Sequence, residues 1–212
     1  MRKTVGIFGG TFDPIHIGHL RMALELKQQL ALDEMRLLPC HQPPHRNAPQ
    51  VSSGQRAEML RLALQDCPDL YLDERELQRN KPSYTYDTLC DLRAELGVET
   101  SVVLCMGADA FAGLSTWHRW QDLLQLAHMV VVARPGWVIP EQGDVRELLN
   151  QHQGEASCLL QKPAGAIVLQ RLRLLPISAT EVRSQIKAGE SAQFLVPDAV
   201  WRYIKTHDLY VK

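Results

Sequence analysis

The sequence predicts an α/β protein built on a doubly wound parallel sheet. Short apolar runs of strand length alternate at least five times with stretches whose apolar residues recur at helical spacing. Several runs end in glycine- or proline-bearing turns, as at Gly9-Gly10, Gly107 and Pro135-Gly136, and open sheets of this class bind ligands at the carboxyl ends of their strands. At 212 residues the chain fits one domain, 1–212, large enough to bury a sizeable core.

Thr4-Val5-Gly6-Ile7-Phe8 reads as a buried parallel strand. Leu20, Ala23, Leu24, Leu26 and Leu30 form the apolar stripe of a helix over 20–32. A second strand is expected at 35–38, after an Asp33-Glu34 turn. A polar loop over 40–53 contains Pro43-Pro44-His45-Arg46, whose prolines fix φ and hold two basic side chains at low entropic cost. A helix over 53–64 follows, capped by Ser52 or Ser53. Residues 70–72 form a short strand, and the charged run 73–76 is expected on a solvated face.

Pro82 and Ser83 are expected to open a helix that runs to about residue 96, where Gly97 stops it. Residues 102–106 are the clearest buried strand and lead into Gly107-Ala108-Asp109. Residues 115–120 lead into a helix to 126, and a further strand over 129–133 ends at Arg134. From 137 to 165 the signal weakens to loops and a short helix near 145–151. Residues 166–169 and 172–175 are strand-like. A small helical part, about 177–212, closes the chain: one helix capped by Ser178 or Thr180 and ended by Gly189, and one opened by Pro197 with Val200, Tyr203 and Ile204 inward.

The chemistry concentrates in Gly9-Gly10-Thr11-Phe12-Asp13-Pro14-Ile15-His16-Ile17-Gly18-His19, between the first strand and the first helix. Two glycines let backbone amides approach a ligand, and the helix start offers unpaired N–H groups and a positive dipole end to an anion. His16 and His19, three apart, share a face once the turn is helical. Two imidazoles beside a phosphate-attracting helix start point to polyphosphate chemistry.

Composition narrows the alternatives. A formal net charge of −1, from 23 Lys plus Arg against 24 Asp plus Glu, argues against nucleic-acid binding driven by bulk charge. Five cysteines without C-x-x-C spacing read as reduced thiols and place the protein in the cytoplasm. The stretch before Gly9 is too short for a signal peptide, and no apolar run approaches the ~18 residues of a membrane span. No His, Cys or Asp cluster has the spacing of a fixed metal site.

The string from Gly9 to His19 resembles the signature of nucleotidyltransferases that carry an H-x-G-H or T-x-G-H motif. Residues 43–46, 81–89, 107–109, Thr116-Trp117, Arg134-Pro135-Gly136 and 177–183, the last similar to an I-S-x-T-x-x-R motif, extend the match over nearly the whole chain. Together they resemble the bacterial nicotinate-nucleotide adenylyltransferases. The resemblance implies a Rossmann-like nucleotidyltransferase fold that makes deamido-NAD and pyrophosphate from ATP and nicotinate mononucleotide, with Mg2+ accompanying ATP. It implies catalytic roles for His16, His19 and Arg183, and ATP contacts from Gly9, Gly10, Thr11, Gly107, Asp109, Ser178 and Thr180. It implies mononucleotide contacts from Arg46, Tyr84, Thr85, Trp117, His118 and Arg134. Nucleic acid and membrane are not expected partners, and a homo-oligomer stays open. One residue departs from the pattern: Cys40 stands where the family often has Asn, and a thiol is the weaker donor.

His16-Ile17-Gly18-His19 also suits a class I aminoacyl-tRNA synthetase, but no K-M-S-K-S-like loop or anticodon-binding domain accompanies it. A sister adenylyl- or cytidylyltransferase acting on another phosphorylated small molecule would lack a reason for residues 81–89 and Thr116-Trp117. A non-catalytic nucleotide sensor would require a broken phosphate site.

Overall fold

The computed structural model describes residues 2–41, 48–79, 82–133 and 142–211. Six parallel strands, β1 (Thr4–Gly10), β2 (Glu34–Pro39), β3 (Tyr71–Leu72), β4 (Ser101–Gly107), β5 (His128–Ala133) and β6 (Ile167–Arg171), form one sheet in the order β3-β2-β1-β4-β5-β6. The order reverses between β1 and β4, and the carboxyl ends at such a reversal are where open sheets of this class bind ligands.

Alternation along each strand divides the core. Phe8, Val103, Cys105, Val130 and Val132 face α1 (Ile17–Gln29), α2 (Ser53–Leu64), α8 (Ala179–Lys187) and α9 (Asp198–Thr206). Ile7, Val102, Leu104, Met129 and Val131 face α3 (Thr85–Leu96), α4 (Ala108–Ala112), α5 (Leu123–Leu126) and α6 (Asp144–His152). A four-residue helix, α7 (Cys158–Gln161), which the sequence reading did not foresee, adds buried Leu159 to the first layer. Because both faces are covered, β4 and β5 are apolar beyond their first residues, Ser101 and His128, which is why they were legible as unbroken runs.

Several expectations hold closely. α2 spans 53–64, and Ser52 caps it in a reciprocal box with Gln55. Gly97, at φ +80°, ends α3, and Ser178 caps α8. Others need correction. α1 begins at Ile17, not at 20, so Gly18 and His19 lie in its first turn. α3 begins at Thr85 with Tyr84 at the cap position. Ser83 does not cap it, because its Oγ instead accepts a hydrogen bond from the His41 N–H at 2.9 Å. Residues 115–120 do lead into a helix that ends at 126, but the helix is short. Two 3-10 turns (Leu114–Thr116 and Trp120–Asp122) precede four residues of α5, separated by Arg119 in the left-handed region at φ +53°. Residues 172–175 form no strand.

The run 73–76 is not a solvated face. Asp73 is 9 % and Glu76 6 % exposed. Arg75 and Arg36 donate to Asp73 at 2.7 and 3.4 Å, and both arginines also reach Glu95. Glu76 accepts from the Thr88 hydroxyl at 2.7 Å. A charged run predicts exposure only when its partners are not supplied from elsewhere in the fold, and here β2 and α3 supply them.

Candidate active site

β1 and β4 run in register from Thr4↔Ser101 to Phe8↔Cys105, so Gly10 and Gly107 mark the level at which both strands leave the sheet. A Cβ added at Gly9 or Gly107 would meet nothing within 4 Å. The two strand ends therefore border open space at the point where the strand order reverses. Gly10 is different: its Cβ would sit 2.9 Å from the Phe12 ring, so only glycine lets Phe12 fold back beneath the turn. Phe12 is buried and stands edge-on to His19 at 5.1 Å between centroids.

His16 occupies the N-cap position of α1. Its Nδ1 accepts from the His19 N–H at 3.3 Å, and its carbonyl accepts from the N–H groups of His19 and Leu20 at 3.0 and 3.3 Å. Its ring stacks on that of His19 with centroids 3.5 Å apart and planes 20° from parallel. Burial pushes the His16 imidazole down from 6.5 to about 4. His16 is thus neutral at pH 7. Because Nδ1 is an acceptor, the one proton resides on Nε2. Gly18 permits this packing, since a Cβ there would lie 3.1 Å from the His16 ring and 3.4 Å from the Ile177 carbonyl oxygen.

The turn between Gly10 and His16 is held from below. Arg56 of α2, 1 % exposed, donates to the carbonyl oxygens of Thr11 at 2.7 Å and His41 at 3.2 Å. It ties the loop after β1 to the loop after β2. Asp13, buried, accepts from the Gln50 N–H at 2.9 Å and from the Tyr210 hydroxyl at 2.7 Å. Arg183 of α8 donates through Nη1 to the Asp13 carbonyl oxygen at 2.6 Å and through Nη2 to Thr180 Oγ1 at 3.4 Å. Its side chain is 22 % exposed, and each terminal nitrogen keeps a further N–H for an anion. Ser178 Oγ accepts from the Glu181 N–H at 3.1 Å, which leaves its own O–H as a donor.

A second group gathers at the start of α3. The Tyr84 ring lies 4.6 Å from the His118 ring, Tyr86 stands edge-on to His118 at 6.3 Å, and the Arg119 guanidinium sits 3.8 Å above the centre of Tyr86. Trp117 is half-buried against the layer that includes Leu89 and Phe111. Tyr84, at the N-cap of α3, makes no side-chain cap hydrogen bond, so the N–H groups at Thr85 and beyond lack that partner and suit an anion. The left-handed residue Arg119 breaks the 114–122 segment and leaves His118 exposed opposite Tyr84.

A cytidylyltransferase-like family model matches residues 7–185. The chain is 65 % identical over 210 residues to the probable nicotinate-nucleotide adenylyltransferase of Cellvibrio japonicus, covering 99 % of this chain and 100 % of that one. The chain belongs to the nicotinate-nucleotide adenylyltransferase family. A probable family member from Pseudomonas aeruginosa is 49 % identical over 99 % of this chain and 98 % of its own. Among solved structures, Plasmodium falciparum nicotinic acid mononucleotide adenylyltransferase complexed with NaAD matches with a TM-score of 0.75 over 99 % of this chain and 98 % of that one. At 17 % identity that match bears on the fold alone.

Within this adenylyltransferase, His16, His19, Gly10 and Thr11 come together at the β1–α1 turn, and Arg183, Thr180 and Ser178 meet it from α8 through Asp13. Gly107 and Asp109 lie on the neighbouring strand's side, at the end of β4 and in the first turn of α4. Tyr84 and Thr85 lie at the start of α3, and Trp117 and His118 lie between the two 3-10 turns beside it. Arg46 and Arg134, with the rest of 43–46 and 134–136, lie outside the described residues. Cys40 keeps its backbone place: its N–H donates to the Gly10 carbonyl oxygen at 3.0 Å. Its thiol turns to Thr11 Oγ1 at 3.8 Å, and burial pushes that thiol up, so no thiolate forms near neutrality. Sequence reasoning missed Arg56 and Tyr210. Arg56 had a signal, since it shares the 56, 59, 60, 63 stripe with Met59, Leu60 and Ala63, where an arginine is out of place. Tyr210 had none.

Proposed function

We propose that this adenylyltransferase transfers the adenylyl group of ATP to the 5′-phosphate of nicotinate mononucleotide, giving deamido-NAD and pyrophosphate in NAD biosynthesis. The observation that carries the reading is the stacked His16–His19 pair at the end of β1, where the strand order reverses. The acceptor phosphate is already an anion, so no strong base is needed. Catalysis reduces to placing two polyanions in line and neutralising charge as it moves to pyrophosphate.

In this reading the backbone at Gly9 and Gly10, the Thr11 hydroxyl and Gly107 line the ATP crevice, and Asp109 takes a ribose hydroxyl. His19 bears on the α-phosphate. Neutral His16 donates one hydrogen bond through Nε2 to the polyphosphate, a role its buried, capping state supports. Arg183, with the hydroxyls of Ser178 and Thr180, takes the β- and γ-phosphates. Trp117 stacks on the pyridine ring beside Tyr84, while amides near Thr85 and His118 hold the nicotinate carboxylate. The uncapped start of α3 supports the acid over the amide, because a helix N-terminus favours an anion. Arg46 and Arg134 complete the mononucleotide side.

Asp13 is the carboxylate beneath the phosphate region, and its oxygens are engaged by Tyr210 and Gln50. The surrounding donors suit an anion rather than a bare cation. Mg2+ would therefore fit as a companion of ATP with few protein ligands, and would supply neutralisation of the phosphate charge. We read 1–212 as one domain whose 177–212 end delivers the phosphate-binding arginine. No described helix is long and apolar enough to cross a membrane, and all five cysteines are free thiols, which supports a cytoplasmic enzyme.

Product analysis tests the reading. Equal amounts of deamido-NAD and pyrophosphate are expected from ATP, Mg2+ and nicotinate mononucleotide, with formation stopped by EDTA and restored by excess Mg2+. Pyrophosphate without a dinucleotide product would contradict the acceptor assignment.

A further inference from the structure

Asp13 and Arg183 lie close together without forming the pair their charges favour. Arg183 Nη1 is 4.0 Å from Asp13 Oδ2 and donates to the Asp13 backbone carbonyl instead. A carboxylate and a guanidinium in a poorly hydrated site attract strongly and tend to close into a two-pronged hydrogen-bonded pair. Two neutral donors stand in the way. The Gln50 N–H holds Oδ2 at 2.9 Å, and the Tyr210 hydroxyl holds Oδ1 at 2.7 Å.

Tyr210 is placed for this with some effort. It lies 197 residues away from Asp13 in sequence, is 6 % exposed, and holds φ +66°, a left-handed conformation that a bulky residue adopts only when its surroundings enforce it. The neighbouring loop is also fixed to the site: the Leu195 carbonyl oxygen accepts from the N–H of Ile17, the first residue of α1, at 2.9 Å. Burial, and then the Asp13 charge, push the Tyr210 phenol far up, so it stays a donor across the working pH range.

We infer that Tyr210 is a positioning residue for Arg183: its hydroxyl holds the Asp13 carboxylate off the guanidinium, so that Arg183 stays available to the triphosphate. The inference rests on the phosphate role proposed above for Arg183. Without the hydroxyl, Asp13 Oδ1 is left buried and lacking a donor. A cationic donor is close to the same carboxylate: Arg183 Nη1 lies 4.0 Å from its other oxygen, Oδ2. The carboxylate turns toward it, occupies its free N–H groups and cancels the charge meant for ATP.

The test compares steady-state constants for Tyr210→Phe, Arg183→Gln and the double variant Tyr210→Phe/Asp13→Asn, at a temperature where circular dichroism shows each one folded. Tyr210→Phe is expected to raise the KM for ATP about tenfold, the size of one hydrogen bond to a charged group, and to leave the KM for nicotinate mononucleotide within about twofold. The double variant removes the charge that captures Arg183, so its KM for ATP is expected to return to within about threefold of the unsubstituted enzyme. A merely structural Tyr210 would move both KM values together, and Asp13→Asn would not rescue it; that result overturns the inference. So does an unchanged KM for ATP in Tyr210→Phe when Arg183→Gln raises it. If Arg183→Gln itself leaves the KM for ATP unchanged, the phosphate role of Arg183 falls, and the inference with it. Should Tyr210→Phe bind too weakly for kinetics, calorimetric titration with ATP and Mg2+ gives the same comparison.

Discussion

The two histidines do different work although they stack on each other. His16 spends its Nδ1 on the helix start and is held neutral, so it is a fixed single donor. His19 lies in the first turn of α1, partly exposed, and is the one placed to meet charge that shifts during transfer. His19→Ala is therefore expected to lower kcat by about 100-fold or more with a much smaller change in the KM for ATP, as for loss of a transition-state donor. An unchanged kcat would remove His19 from the catalytic role. Trp117→Ala is expected to weaken nicotinate mononucleotide by ~1–3 kcal/mol if its stacking resembles base–aromatic stacking, with ATP affinity unaffected. Isothermal titration with each substrate separates the two, and a loss confined to ATP would reverse the placement of the substrates. The residues legible in the sequence were those inside a dense local string. The ones that hold the string from beneath were not, because Arg56 and Tyr210 act across 45 and 197 positions and carry no motif of their own.

Among the elements, the strands were the most readable and the short turns the least. β4 and β5 are buried on both faces, so their composition leaves little choice. The helix ending at 126 was legible, but its shortness and the two 3-10 turns before it were not, because the left-handed residue between them is something periodicity does not encode. The start of α1 shows why the motif needs glycine at its third position. Gly18→Ala would place a methyl 3.1 Å from the His16 ring and 3.4 Å from the Ile177 carbonyl oxygen, between the two halves of the phosphate region. The ring is held by its cap bond and by its stack on His19, and Ile177 leads into the cap of α8. We expect Gly18→Ala to cost about 1–3 kcal/mol in urea unfolding, as for overpacking, and to lower kcat by more than that loss explains through depopulating the folded state. A variant of full stability and full activity would show that the His16 ring is free to move.

Across the molecule, the strand order β3-β2-β1-β4-β5-β6 puts the two glycine-ended strands side by side, and α8 and α9 return over the same face as α1 to bring Arg183 and Tyr210 to it. That topology was foreseen as a class. Its closure by the C-terminal helices onto Asp13 was not, because no local pattern links the ends of a chain. Burial of a neutral histidine also makes stability depend on pH. His16 titrates at about 4 when folded and at 6.5 when free, so the unfolded chain gains its proton first as pH falls. Stability is unaffected by this group above 6.5, declines between 6.5 and about 4, and by the lower end has lost about 3 kcal/mol from it. Buried His128, whose imidazole is also pushed down chiefly by burial, adds a loss of the same sign. Urea titrations at pH 7 and pH 5 are expected to differ by less in His16→Asn than in the unsubstituted protein, and an equal difference would contradict a buried neutral His16.

The measurement that goes most directly to the reaction is pyrophosphate release with ATP and Mg2+, run in parallel with nicotinate mononucleotide, nicotinamide mononucleotide, phosphopantetheine and glycerol 3-phosphate as acceptors. Rapid release with nicotinate mononucleotide, and much slower release with its amide, is the result expected from the proposed placement of the nicotinate carboxylate at the start of α3. Release with phosphopantetheine or glycerol 3-phosphate but not with either mononucleotide would contradict it, leaving the phosphate site at the β1–α1 turn intact and removing Thr85 and Trp117 from the acceptor site.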